Sequence, residues 1–472
     1  MGPTWKAWEW YRLVHVCQRW RSLVFASPHR LDLRLVCTFN RPARLRKKVL
    51  EIWPTLPIAV WYPYQSAVQG RSLILVVDEN NVSVALQYPD RIREINLFVT
   101  CSLLLKLGAQ VLVSFPALEY LQLESPTKPT LALPVGFLGG TTPRLRVIHL
   151  TSIAFPTLPL LLLSTRDLVS LRLDSVPRRG YISPEALAIG LSMTTRLKIL
   201  RIHFLPYASN VFKDTGSAER PLTTRAILPV LSDFQFSGDG AYLEDLISRL
   251  DAPSLELLNI TLFEPDSFES LQLSQFISRT KSFASPHQMS IVLLRDEILI
   301  VNHFHSPPLT SHFLLQITSE DMDLQDTLPQ VLTRLSVLLS GVQRLILNSF
   351  IPRSSWLGPD DMDLPLWLDF FCNLKSVKRL DVSGVFVQSI ESALERLPED
   401  MVQRVLPALQ DLHVEKCESP GGPFQKFADA LQYSGRPITV HYVVYFLMPK
   451  TRLDESPNPA PDLRSVESRT VR

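Results

Sequence analysis

Two pairs of carboxylates, Asp321-Met322-Asp323 and Asp361-Met362-Asp363, have the D-x-D spacing that can grip a divalent cation. They stand in polar, loop-like stretches, SEDMDLQD and GPDDMDLP, where solvated acidic turns and helix starts are the ordinary use of such residues. His303 and His305 in VNHFH would project from one face of a strand, as two metal ligands can. Neither a cysteine nor a third histidine follows at a suitable local spacing, so surface histidines are expected. The basic run RPARLRKK, Arg41 to Lys48, has the composition of a phosphate-contacting or nuclear-import patch. A solvated helix face is the simpler expectation, because the remaining chain adds no basic stripe. The motifs G-x-S-x-G, H-E-x-x-H, G-x-x-x-x-G-K-[ST] and G-x-G-x-x-G are absent. The expectation is therefore a chain with no catalytic residue, no metal and no cofactor, and not an enzyme.

Charge points the same way: 48 basic and 46 acidic side chains nearly cancel to a formal +2 over 472 residues. That removes the electrostatic case for nucleic acid or an anionic membrane surface and leaves a protein as the expected partner. The five cysteines, Cys17, Cys37, Cys101, Cys372 and Cys417, are scattered and form no C-x-x-C pair. Reduced thiols in the cytoplasm or nucleus are expected. No apolar run nears the roughly 20 residues that span a bilayer, and MGPTWKAWEWYR lacks the apolar core of a signal peptide.

The elements that organise these residues follow from a repeat. The template L-x-x-L-x-L, with other aliphatics or Phe allowed, fits IREINL from Ile92, LEYLQL from Leu118, LRVIHL from Leu145, LVSLRL from Leu168 and LKILRI from Leu197. It fits again at LSDFQF from Leu231, LELLNI from Leu255, VQRLIL from Val342, VKRLDV from Val377 and LQDLHV from Leu409. The first seven starts are 26, 27, 23, 29, 34 and 24 residues apart, mostly near the roughly 20–29 residues of a leucine-rich repeat. The later steps are 35 and 32, and a gap of 87 residues separates Leu255 from Val342. Strand-like runs in that gap, MSIVLL and EILIVNHF, predict degenerate repeats or an inserted hairpin at about 270–335.

Alternation on a strand sends Leu121 and Leu123 inward and Gln122 outward. One such unit cannot bury its apolar face alone, whereas stacked units share a core and expose the middle residue of every strand on one wall. The expected wall, and the expected target-binding surface, comprises Gln122, His149, Arg172, Arg201, Asn259, Asp381 and His413, with Asn96, Gln235 and Ile346 in equivalent places. Three places after the last strand leucine, where a regular repeat has Asn or Cys, this chain mostly has neither, which predicts irregular turns. ALERLPEDMVQRVLPAL from Ala393 has helical spacing. Thirty-seven prolines predict many loops, including SPTKPTLALPVGFLGGTTP from Ser125 and PYASNVFKDTGSAERPLTTR from Pro206. The segment after about Pro449 is apolar-poor and expected to be disordered.

On a helix, Leu13, Val16, Cys17, Trp20, Leu23 and Val24 form one apolar face, with the helix ending near Ser27-Pro28. A cap closing the end of the repeats is one use of such a face. The order LVHVCQRWRSLV also resembles the later helices of an F-box, with Val16-Cys17-Gln18-Arg19-Trp20 following Leu13. The stretches ASPHRLDLRLVCT, VLEIWPTLPIAVWY, FISRTKSF, VLPALQDLHVE and SGRPITVHY resemble parts of the F-box/leucine-rich-repeat proteins expanded in mushroom-forming fungi. The F-box is incomplete, since no L-P-x-E-[IL]-[IL] helix precedes Trp10. The resemblance implies a substrate-recognition subunit of a Skp-cullin-F-box ubiquitin ligase. Leu13, Val16, Cys17, Trp20 and Leu23 would then touch the Skp-type adaptor, and the repeats would hold a target protein.

The expected fold is α/β: an irregular leucine-rich-repeat solenoid, parallel strands on its concave face, preceded by a helical F-box remnant. Its expected divisions are 1–40 for the partial F-box and connecting segment, 41–90 for an irregular first repeat or N-terminal cap, 91–448 for the solenoid and 449–472 for the tail. The rival expectation is a repeat scaffold with no ubiquitin role.

Overall fold

The computed structural model describes residues 16–26, 35–37, 50–51, 57–61, 79–125, 131–205, 225–263, 270–280, 282–283, 287–295, 297–302, 312–318, 324–351, 364–398, 401–415, 424–443 and 468–469. The two D-x-D pairs, His303 and His305, the Arg41–Lys48 run, the Pro206 loop and nearly all of the tail lie outside them. The chain is mixed α/β, with eleven α-helices among the described residues. It divides into two compact units, one of residues 1–238 with 249–254, the other of residues 239–248 with 255–472.

In the first unit, eight strands follow one another in chain order: β1 (Leu35–Cys37), β2 (Ile58–Trp61), β3 (Ile92–Phe98), β4 (Tyr120–Glu124), β5 (Val147–Thr151), β6 (Ser170–Val176), β7 (Ile199–Phe204) and β8 (Asp233–Gly238). Each pairs in parallel with the next. The template explains this. Its first leucine is buried wherever it occurs here (Ile92, Leu118, Leu145, Leu168, Leu197, Leu231), as are the two strand positions that follow. The residue after that leucine extends the sheet ladder below the strands: Arg146 N donates to Glu119 O, Val169 N to Arg146 O, and Lys198 N to Val169 O.

Parallel strands need crossovers, supplied here by short helices. Thr100 caps α3 (Cys101–Leu107) by accepting from Leu103 N. Ser183 caps α5 (Pro184–Leu191) by accepting from Ala186 N, with Pro184 at the first turn where its missing N–H is harmless. LPLLLLS forms only the five-residue α4 (Leu158–Leu162), which packs against α5. Buried Thr165 and Thr194 donate to the helix-end carbonyls of Leu162 and Leu191, satisfying groups that helix ends leave orphaned. Part of the Ser125 loop is paired, Leu131–Ala132 lying parallel to Ile153–Ala154. The remaining helices of this unit are α1 (Gln18–Ala26) and α2 (Glu79–Leu86).

The second unit departs from chain order. Its strands are β9 (Leu257–Leu262), β10 (Gln288–Leu293), β11 (Glu297–Asn302), β12 (His312–Thr318), β13 (Arg344–Ser349), β14 (Arg379–Val382), β15 (Asp411–Glu415) and β16 (Thr439–Val443). In space β9 neighbours β12, then come β11, β10 and β13. Only β11 runs antiparallel among these. The chain leaves β9, skips two strand places, and fills them on its return through two hairpins. Within the stretch at 270–335, strands β10 to β12 thus form an inserted meander, and strands β13 to β16 then continue in parallel and in order.

The skip explains the longest helix. After β12 the chain must cross back over β11 and β10, three strand spacings or about 14 Å, before β13 can pair with β10. The sixteen-residue α8 (Leu324–Leu339) makes that crossing and packs against both α7 (Leu271–Arg279) and α9 (Leu364–Asn373). Beyond it, α10 (Phe386–Glu395) packs on α9, and α11 (Gln425–Tyr433) on α10. At the opening of this unit, α6 (Gly240–Ser248) packs on α7, and its Glu244 accepts from Gln272 N and Leu273 N at the start of that helix. Under these helices Trp367, Phe370, Phe371 and Phe386 form a buried aromatic cluster, Trp367 stacking on Phe371 with centroids 5.7 Å apart. The long helix expected from Ala393 does not form: α10 stops at Glu395 and residues 401–408 make turns, Pro398 being unable to continue the helical ladder. Ser468–Arg469 pairs antiparallel with β16.

Gly384 follows β14 with φ +65°, and a Cβ there would lie 2.5 Å from Ser349 O, so only glycine fits. Its N–H donates to Glu415 Oε2 at 2.6 Å.

Candidate binding wall

Strand register decides which middle residues become neighbours. In the first unit Trp61, Asn96, Gln122, His149, Arg172, Arg201 and Gln235 stand side by side, one from each strand from β2 to β8. In the second unit the row is Asn259, Leu314, Val301, Ser290, Ile346, Asp381, His413 and His441. Every wall residue expected from the template has a place in one of these rows. Trp61, Leu314, Val301, Ser290 and His441 are not expected from the sequence; the three from the meander break the template, and Trp61 and His441 lie in strands without its leading leucine.

Most wall residues are half-buried by their neighbours across the strands, about 4.8 Å away. In the first unit Tyr120 Oη donates to Gln122 Oε1, and its ring meets His149 edge-on with centroids 5.9 Å apart. His149 Nε2 lies 3.2 Å from Ser170 Oγ. Burial, and after it the charges of Arg172 and Arg201, push the His149 pKa down to about 4, so the imidazole is neutral at pH 7. One row further along the strands, His203 Nδ1 is 3.3 Å from Asp174 Oδ1, yet burial still lowers the His203 pKa.

Arg172 and Arg201 differ from the residues around them. They are register neighbours with like charge, their Nε atoms are buried, and neither Nε meets a hydrogen-bond partner.

In the second unit the charge of Asp381 is met from within the sheet. Asp381 is only 3% exposed, although the template places it on the surface. The reason is the row before it, where Arg344 and Arg379 stand two residues ahead of the middle positions and fold over the carboxylate. Arg344 Nε donates to Asp381 Oδ2 at 2.7 Å and Arg379 Nη2 to Oδ1 at 2.9 Å. Arg344 also donates to Gln288 Oε1. His413 stacks on His441 with centroids 4.4 Å apart. Burial, followed by the charge of Arg379, lowers its pKa, so His413 too is neutral at pH 7.

At the N-terminal helix α1, Val16, Trp20 and Leu23 are 65%, 47% and 59% exposed, and Cys17 is exposed as a free thiol. Leu13 lies outside the described residues. Trp20 and Leu23 stand three places apart, on one face of this helix.

Among the described residues no group of three or more His, Cys, Asp and Glu side chains converges to hold a metal ion, and no helix is long and apolar enough to cross a membrane. The chain matches no protein-family model, and no curated protein matches it.

Proposed function

We propose that this chain is a non-catalytic substrate-recognition subunit of a Skp-cullin-F-box ubiquitin ligase, working in the cytoplasm or nucleus. In this reading the sheets belong to an irregular leucine-rich-repeat solenoid whose wall of middle-strand residues holds a target protein. The α1 helix, with Val16 and Cys17 just before it, is the remnant of an F-box and docks on a Skp-type adaptor through Val16, Cys17, Trp20 and Leu23.

The observation that carries the reading is the exposure of that apolar face. A tryptophan and a leucine on the helix, and a valine just before it, stay 47%, 59% and 65% exposed and forgo roughly half of the about 1.5–3 kcal/mol apiece that full burial would supply. A helix whose use was to cap the repeats would turn the same side chains onto them. Half-buried polar rows support the second part, since recognition walls combine aromatic, amide and arginine side chains with little net charge. The rival is a repeat scaffold with no ubiquitin role, in which α1 only stabilises the fold.

Capture of the full chain on an immobilised Skp-type adaptor tests the proposal. Retention that Trp20→Ala abolishes, with the unfolding midpoint unchanged, supports it. A chain that is not retained, or a Trp20→Ala variant that loses stability but no partner, returns the assignment to the scaffold.

A further inference from the structure

Arginines on a wall usually have a use for their charge, and the two rows treat theirs differently. In the second unit Arg344 and Arg379 both close on Asp381. In the first unit Arg172 and Arg201 stand on adjacent strands, with buried Nε atoms that donate to nothing and with no ion pair to any described residue. The carboxylates of Asp174 on β6 and Asp233 on β8 are already engaged. Asp174 faces His203 at 3.3 Å, and Asp233 accepts from Gln235 Nε2 at 3.0 Å. Buried polar groups in folded proteins are generally satisfied, so a pair of orphaned donors marks where something else completes them. His149 beside them is held neutral and supplies no charge of its own.

We infer that Arg172 and Arg201 together seat a carboxylate of an acidic protein segment laid along the first-unit row. Two guanidiniums carried on paired strands, which lie about 4.8 Å apart, present several N–H groups that a single carboxylate can bridge. The flanking Gln122 and Gln235 amides and the Tyr120 and His149 rings suit the backbone and side chains of a peptide. A free phosphate is the weaker candidate. The backbone N–H groups of this region are used in strand pairing, which leaves no amide cradle to enclose a small dianion. The inference rests on the reading of the row as the target-binding wall and names the chemistry that the wall selects.

The test uses the full chain and a fluorescein-labelled oligoglutamate peptide, read by anisotropy at low salt, with oligolysine as the opposite-charge probe. Binding of oligoglutamate and not oligolysine is expected. Arg172→Gln and Arg201→Gln should each weaken it at least roughly tenfold, the loss expected when one charge-assisted donor group is removed. Arg172→Lys and Arg201→Lys should recover only part of the affinity, because an ammonium keeps the charge and loses the fork. Arg196→Gln, which removes an exposed arginine paired with Asp167, should change nothing. The glutamine variants should unfold at or above the wild-type midpoint, since like-charged unpaired groups are being removed; a lower midpoint assigns the pair a structural role and overturns the inference. Unchanged affinity in both glutamine variants overturns it too, as does displacement of the peptide by an equal concentration of inorganic phosphate. Both variants should be captured by the adaptor as well as wild type. Peptide binding that fails while capture succeeds thus sinks this inference alone, and lost capture with arginine-dependent peptide binding sinks only the ligase assignment.

Discussion

Acidification should destabilise the fold through His149, and the size of the effect follows from its surroundings. In the unfolded chain this histidine titrates near 6.5; in the folded chain burial and the adjacent Arg172 and Arg201 lower its pKa to about 4. Above pH 6.5 both states are neutral and His149 contributes nothing to the pH dependence. Between 6.5 and about 4 the unfolded chain binds a proton that the folded chain refuses, so stability falls as pH falls through that window. The fall from 6.5 to about 4 corresponds to an upper figure of about 3.4 kcal/mol at roughly 1.36 kcal/mol for each pH unit. Because the ring is only half-buried, water screens it, and about 2 kcal/mol is the expected loss. The assay is urea unfolding across this pH range for wild type and His149→Gln. The variant keeps a polar side chain and cannot titrate, so the lost Ser170 contact shifts its curve without changing the slope. Wild type should lose about 2 kcal/mol more than the variant between neutral pH and pH 4. Parallel curves would show that burial and the neighbouring arginines do not hold this histidine neutral.

Asp381→Asn should cost about 2 kcal/mol by denaturant unfolding, toward the low side for a broken buried pair because Arg344 and Arg379 are each about a third exposed; a neutral effect would mean that the arginines find water as good a partner. Gly384→Ala should cost roughly 2 kcal/mol or more, from the left-handed backbone and the Ser349 carbonyl in the path of the new methyl, and an unchanged midpoint would place that turn elsewhere. Trp367→Ala should cost about 3–5 kcal/mol by emptying the aromatic cluster under α9, measurable as a drop in midpoint with no change in adaptor capture.

The template made much of this architecture readable. Its first leucine is buried at all ten matches, from Ile92 to Leu409, and its fifth position falls in the rows each time. Period-two alternation is a local property, so local sequence carries it. Strand order in the meander is not local. Runs such as QMSIVL and EILIVN look like any strand, and whether one pairs with the next repeat or folds back is decided by contacts some fifty residues away, as Gln288 with Arg344 shows. The wall chemistry was half legible for a related reason. LVSLRL and VKRLDV each present a charged middle residue, and they differ two places earlier. Arg379 precedes Asp381 and neutralises it, whereas Ser170 precedes Arg172 and leaves it free. The sequence identified the residues in the row; the partners across strands determined which of them are buried and which are open. Thr165 and Thr194, each three places before a template leucine, were a further signal, marking buried helix ends.

The proposal turns on one binding event. Calorimetric titration of the purified full chain with a Skp-type adaptor should show saturable association with one adaptor per chain. Trp20→Ala and Leu23→Ala should each weaken it at least roughly tenfold, as expected when a large apolar anchor is removed from an interface centre, while the unfolding midpoint stays put. Absence of heat with wild type, or equal affinity in both variants, would contradict the assignment of α1 as the adaptor-docking helix.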